Sequence, residues 1–384
     1  MMNRYLSRLI IGSVLLAALV LAFTRLVNPY GYWSGPTSAG INDAKPFANQ
    51  HLIPVKHAQY GRVPYTTVLI GNSRTEVGLD PQSRAWPAAM QPVYNFGMPG
   101  MGLPTSVDAM IQAAAGHKPK TIILGVEYLD FRVTEDDWRD AAGAQPMVDQ
   151  SYRTPTADLT SMLFSLDAVR ESAFALFEAR KAHPATTTPQ GYNGLNDYHD
   201  IVAAEGYAAI FDQRNREYVG RFQTQNKRLA WPSVGANRNW QALSRLVAFC
   251  RENRIALTLH TFPYHADLLM IFDRTRVMGE LEQWRAELRR YAQAKDVPLY
   301  DFIGLDARTS ELVPAPGDKT SKMTYYWEAG HFRAALGDML IGTMVRGSPL
   351  TDDAPDLTTA LKAYEQSHPE VLARIDKLVH TARP

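Results

Sequence analysis

The sequence predicts an α/β domain built on a central, mostly parallel sheet, carried behind an N-terminal transmembrane helix and broken by a helical insertion. Three observations lead there. An uncharged run from Leu9 to Phe23 lies between arginines near the start of the chain. From Thr66 onwards, short β-branched runs alternate with helical patterns. That alternation lapses between about 145 and 235 and then resumes. Strands separated by helices over short polar connections indicate a parallel sheet, because parallel neighbours need a crossover.

The 384 residues hold 40 Lys+Arg against 39 Asp+Glu, a formal charge of +1, and are 46% hydrophobic. This balance leaves no electrostatic footprint for nucleic acid, which is not an expected partner. The one cysteine, Cys250, excludes an internal disulfide and a cysteine-cluster metal site.

The elements follow in order. Leu9–Phe23 is preceded by Arg4 and Arg8 and followed by Arg25. A full span needs ~20 apolar residues and a signal-peptide core about 7–15. Extension from Leu6 to Thr24 meets only Arg8, whose side chain can snorkel to the interface. No small-x-small cleavage site follows. Residues 1–28 are therefore expected to form an uncleaved, single-pass anchor in the inner (cytoplasmic) membrane, with Arg4 and Arg8 inside and the bulk of the chain extracytoplasmic or periplasmic. A cleaved signal peptide and a buried core helix are the alternatives. Residues 29–62, rich in Gly, Pro, Asn and aromatics, read as a membrane-proximal connector.

The α/β domain is expected over 63–345. Thr66–Ile70 and Pro92–Phe96 read as strands, and a helix capped by Thr105 or Ser106 runs to Ala115. Thr121–Val126 is the third strand. In the insertion at about 145–235, Asp158–Lys181 looks helical, His183–Gly194 is a loop, and Tyr192–Arg221 shows no clear period. Asn237–Asn253 is a helix with Trp240, Leu243, Leu246, Val247 and Cys250 on its core face. Ile255–His260 is the fourth strand, Met278–Lys295 an amphipathic helix, Pro298–Ile303 the fifth strand, and His331–Val345 the last helix of the domain. Residues 346–384 form a helical tail broken near Pro369.

Ligands of open parallel sheets sit beyond the carboxyl ends of the strands. There the chain places Gly71-Asn72-Ser73-Arg74, then Asn95-Phe96-Gly97-Met98-Pro99-Gly100, then Glu127 and Asp130; Glu328-Ala329-Gly330-His331 follows near the C-terminus. A serine nucleophile needs a base, and the base needs a group to orient it. Ser73 follows a strand and a glycine, so it is placed to project from a tight turn. Glu328 and His331 are spaced to meet on one helical turn, where the carboxylate would hold the imidazole. Arg74 would bind an anionic polymer or pair with Glu76 or Asp80, and His260 or His265 would line the site edge. Glu127 and Asp130 read as structural carboxylates, with a role as acid–base partners as the alternative. The Glu-x-x-His pair at Glu365 and His368 completes a di-iron pattern only in a helical bundle, which the strands contradict. No zinc motif, phosphate loop or dinucleotide glycine fingerprint is present, so no metal or cofactor is expected.

These blocks resemble those of the SGNH (GDSL-like) hydrolase superfamily over Thr66 to about Val345. The resemblance implies a three-layer, flavodoxin-like sandwich. It makes Ser73 the nucleophile, His331 the base and Glu328, in place of the usual aspartate, the orienting acid. The Ser73 and Gly100 N–H groups would form the oxyanion hole, with Arg74, Asn95 and His260 touching substrate. The third block normally supplies an oxyanion asparagine, and here Glu127 stands in the nearest position. A single anchor with an external domain is similar to the SGNH-like proteins of alginate O-acetylation and teichoic acid D-alanylation. Two functions follow as expectations. One is an O-acyltransferase or esterase working through acyl-Ser73 on a cell-envelope or extracellular polysaccharide. The other is a degenerate domain that binds polymer or scaffolds a multispanning membrane-bound O-acyltransferase.

Overall fold

The computed structural model describes residues 2–134, 156–224, 227–229, 237–347 and 356–381. Both ends of the expected insertion, and residues 348–355 of the expected tail, lie outside the described residues.

Five strands form one parallel sheet in the order β2-β1-β3-β6-β7. They are β1 (Thr67–Gly71), β2 (Val93–Gly97), β3 (Thr121–Val126), β6 (Ala256–Thr261) and β7 (Leu299–Tyr300). Every residue of β1 and β2 is buried, as the continuous apolar runs require when a parallel sheet is covered on both faces. Val68, Leu69 and Ile70 pack in register with Ile122, Ile123 and Leu124 of β3 at the centre of the core. The crossovers are α4 (Leu103–Ala113) between β2 and β3, and α9 (Arg238–Glu252) before β6; the two helices pack on each other. Cys250 is buried on α9, as its periodicity predicts.

The N-terminal helix α1 (Met2–Val27) contains a stretch, Arg4–Val27, of mean hydropathy 2.4 that is long and apolar enough to cross a membrane. Its apolar side chains from Leu6 to Leu19 stand exposed, so it is not a core helix of this domain. The stretch read as a connector contains α2 (Leu52–Tyr60), whose Tyr60 packs against Tyr94 and Phe96 of β2.

The described part of the insertion holds more helix than its sequence suggests. The stretch expected as one helix over 158–181 is two, α5 (Thr156–Leu163) and α6 (Leu166–Glu178), with Ser165 breaking the run by capping α6 through Ala168 N at 2.9 Å. The unpatterned stretch holds α7 (Tyr198–Glu205) and α8 (Tyr207–Thr224). A short antiparallel ladder joins β4 (Arg132–Thr134) to β5 (Lys227–Leu229). Beyond β6 come α10 (Ala266–Arg274) and α11 (Met278–Ala294). The tail forms α13 (Leu357–Ser367) and α14 (Pro369–Thr381), broken at Pro369 as expected, and α14 packs on α10 and α8.

Candidate active site

β1 turns directly into α3 (Ser73–Gly78). Gly71 allows this close turn, because a Cβ there would overlap the Thr75 hydroxyl. Asn72 caps the helix by accepting from Arg74 N at 2.9 Å, which leaves Ser73 at the first helical position, beyond the carboxyl end of β1. Gly97 lies tight against α3, where a Cβ would sit 2.5 Å from Glu76 N. Met98 N donates to Gly71 O at 2.8 Å, joining the ends of β1 and β2.

Ser73 Oγ lies 2.8 Å from His331 Nε2, across 258 residues of sequence. His331 Nδ1 in turn bonds the Glu328 carboxylate. Glu328 and His331 do not share a helical turn as expected. They pair across a tight antiparallel hairpin of β8 (Tyr326–Glu328) and β9 (His331–Phe332), and the last domain helix, α12 (Ala334–Arg346), begins only after them. The aromatic residues Tyr326, Trp327 and Phe332 favour strand. Gly330 disfavours helix, and a Cβ there would overlap the Tyr218 hydroxyl of α8. The second Glu328 oxygen accepts from Gly330 N at 2.8 Å. Glu328 is fully buried. Burial alone would raise its carboxyl, but His331, the Gly330 N–H and Arg74 outweigh burial and hold it below the usual carboxylate range. A serine hydroxyl on an imidazole held by a buried carboxylate is the arrangement that nucleophilic catalysis uses.

Ser73 and His331 open onto a cavity of about 620 Å³ whose wall also includes Gly100, Glu127 and Asp130. Gly100 has φ +72 and open space around it, a left-handed conformation that suits glycine. Arg74 does not pair with Glu76 or Asp80. It forms a buried ion pair with Glu127, and donates to the Tyr218 hydroxyl at 3.2 Å. Glu76 instead meets the buried Lys56 of α2 at 3.1 Å, behind α3. Burial lowers Arg74, but Glu127 and the neighbouring tyrosines and Glu328 raise it further, so the cation is held firmly. Glu127 also accepts from Tyr264 Oη and from Leu129 N at 3.3 Å.

Two expected substrate contacts are not at this cavity. Asn95 is buried, its Nδ2 donating to Thr75 O at 2.7 Å and Leu79 O at 2.8 Å while its Oδ1 accepts from Gly97 N at 2.8 Å. Its amide ties α3 to β2. His260 is buried in β6 against Phe262, with Nδ1 2.9 Å from Thr261 O. Burial pushes its imidazole down to about 4, opposed only by that backbone contact, so it stays neutral. His265 is likewise buried and caps α10, accepting from Asp267 N at 3.2 Å.

The cavity wall contains residues that the sequence reading did not select: Arg132, Arg214, Tyr218, Arg221, Lys227 and Arg238. Arg214 pairs with Glu217 at 2.9 Å and Arg132 with Glu280 at 3.0 Å. Among the described residues, Arg221, Lys227 and Arg238 have no carboxylate partner. The signal was present in α8, where Arg214, Glu217, Tyr218 and Arg221 fall at helical spacing and form one polar stripe. Asp130, half-buried on the wall, has its carboxyl pushed up to about 8 by burial and by the Glu127 charge, against the pull of Arg74 and Lys227.

No known protein family, curated protein or solved structure matches this chain.

Proposed function

We propose that this chain is a membrane-anchored, extracytoplasmic SGNH-like O-acyltransferase or esterase acting on a cell-envelope or extracellular polysaccharide through an acyl-Ser73 intermediate. The observation that carries the reading is the relay from Ser73 Oγ to His331 Nε2 at 2.8 Å and on to the buried Glu328. The parallel sheet and the position of Ser73 after β1 support the SGNH-like reading and its three-layer arrangement. The apolar α1 supports the anchor.

In this mechanism His331 takes the Ser73 proton as Oγ attacks the acyl carbonyl. Glu328 holds the imidazole in the correct tautomer and stabilises its charged form. The Ser73 N–H, in the first helical turn where no backbone acceptor is due, and the Gly100 N–H receive the oxyanion. His331 then protonates the leaving group. A polysaccharide hydroxyl or water then gives its proton to His331 as its oxygen attacks the acyl carbonyl, and His331 returns a proton to Ser73 Oγ as the acyl–Ser73 bond breaks. Arg221, Lys227 and Arg238, which have no carboxylate partner among the described residues, favour an acceptor carrying negative charge.

Glu127 favours a second reading, since it lines the cavity where the resemblance expects a neutral donor. In that reading the domain binds polymer or scaffolds a multispanning membrane-bound O-acyltransferase without chemistry of its own. A fluorophosphonate probe separates the two. Labelling of the full chain that disappears in Ser73→Ala and His331→Ala supports the enzyme. Polymer acylation that persists in a Ser73→Ala strain supports the scaffold.

A further inference from the structure

α6 is amphipathic the wrong way round for a helix on a water-facing surface. Its inward side buries Ala168, Glu171, Ser172 and Ala175. Its outward side shows Leu166 at 85% exposure, Phe177 at 68% and Phe174 at 56%, and Phe164 just before the helix is exposed as well. With about 3.6 residues per turn, Leu166, Phe177 and Phe174 fall within about 80° of one another and share one face. A large exposed apolar surface marks an interaction site.

The neighbourhood says what covers it. α6 and α5 are the elements that pack on α1. Thr24 Oγ1, at the last turns of α1, donates to Leu163 O at 2.7 Å, immediately before Phe164. Tyr30, just past α1, donates to the buried Glu171 of α6 at 2.6 Å. The apolar stripe is thus fixed to the end of the one helix, among the described residues, that is long and apolar enough to span a membrane. Within the stripe, Arg170 pairs with Asp167 at 3.3 Å, and a long cation there can reach up to headgroups.

The same end of α1 opens a second feature, a cavity of about 230 Å³ lined by Arg25, Lys45, Arg62 and Trp33 with no carboxylate in its wall. Arg25 lies over the Trp33 ring at 5.7 Å. Arg25 and Lys45 are held by backbone carbonyls, through Ser34 O at 3.0 Å and Val27 O at 3.1 Å. Burial lowers Lys45 to about 8, with Arg62 acting in the same sense and Asp43 against it. Three cations around a cavity whose wall holds no carboxylate suit an anion, and tryptophan belongs at membrane interfaces.

We infer that the face made by Phe164, Leu166, Phe174 and Phe177 lies in the interfacial layer of the phospholipid bilayer, with the Arg25–Lys45–Arg62 cavity taking a lipid headgroup phosphate. The catalytic domain is then pressed against the membrane surface and does not swing freely on α1. This rests on the anchor reading of α1, and the test separates the two.

The experiment places single nitroxide labels on the full chain, in a Cys250→Ala background, reconstituted into phosphatidylcholine vesicles with and without phosphatidylglycerol. Labels at Phe174→Cys and Phe177→Cys should collide with oxygen over a water-soluble nickel chelate several-fold more than a label at the exposed Lys319→Cys. The bias should grow with phosphatidylglycerol, and Arg25→Gln with Arg62→Gln should remove that growth. If Leu15→Cys reads as membrane while Phe174 and Phe177 read as water, the docking is overturned and the anchor stands. If Leu15 also reads as water, the anchor reading itself fails. Immersion of Phe174 and Phe177 without any phosphatidylglycerol dependence would overturn the headgroup cavity.

Discussion

The Glu127 carboxylate is bound by the Arg74 guanidinium, on the residue next to Ser73, and both groups are buried. One carboxylate of the cavity wall is thereby neutralised by a fixed cation. Breaking one side of a buried ion pair typically costs ~3–5 kcal/mol, because the partner is left uncompensated. Arg74→Met should therefore lower stability by about that amount in denaturant unfolding. Adding Glu127→Leu should restore much of it. If the two losses simply add, the residues are not coupled.

Ser73, His331 and Glu328 should behave as one unit. Ser73→Ala and His331→Ala are expected to remove similar activity, and the double variant little more. Glu328→Gln should cost less than His331→Ala, since the imidazole survives and loses only its orienting charge. Independent, multiplicative losses at Ser73 and His331 in steady-state kinetics would break the relay.

Asp130 makes the site pH-sensitive. Its carboxyl is pushed up to about 8 in the folded chain, against about 3.9 when unfolded. Between those values the unfolded chain has released the proton and the folded chain keeps it, so stability falls as pH rises through the window. Asp130→Asn should be more stable than the parent at pH 8, and the difference should close as pH falls towards 4. A pH-independent difference in thermal unfolding would mean that Asp130 titrates as an ordinary carboxylate.

The sheet was legible because β1 and β3 are buried on both faces and so read as unbroken apolar runs. Ser73 and His331 were legible through the order of their blocks, although spacing alone misassigned the second. A spacing of three from Glu328 to His331 fits a helical turn and a tight hairpin alike, and the flanking aromatics Tyr326, Trp327 and Phe332 with Gly330 favour the hairpin. α8 was hidden for a different reason. Its inward face carries Ile210, Phe211, Tyr218 and Val219, but the buried polar Asn215 interrupts that face and blurs the period. Asn95 and His260 were misplaced because polar side chains at strand ends serve either ligand or backbone, and here the backbone of α3 and of Thr261 claims them.

The cationic wall should govern acceptor binding. Arg221 and Arg238 are exposed at the cavity and lack carboxylate partners among the described residues. Arg221→Ala with Arg238→Ala should raise KM for a uronate- or phosphate-bearing oligosaccharide and leave kcat nearly unchanged. The parent's KM should rise with salt more than the variant's, since exposed charges are screened over about 10 Å at 0.1 M. Equal effects on a neutral oligosaccharide would show that shape, not charge, is being read.

The oxyanion hole should limit chemistry on simple substrates. Removing one donor from such a hole typically costs ~10²–10³ in rate. With Glu127 occupied by Arg74, Tyr264 and Leu129 N, the third block offers no neutral side-chain donor, and the Ser73 and Gly100 N–H groups remain. The Arg74 N–H is already spent on Asn72. Hydrolysis of p-nitrophenyl acetate by the purified chain should therefore be slow, and transfer to an oligosaccharide should depend on the same two donors. Gly100→Ala should slow both reactions, because φ +72 disfavours a side chain and the N–H would move. Fast p-nitrophenyl acetate hydrolysis, unaffected by Gly100→Ala, would mean that the oxyanion is held by groups other than these two.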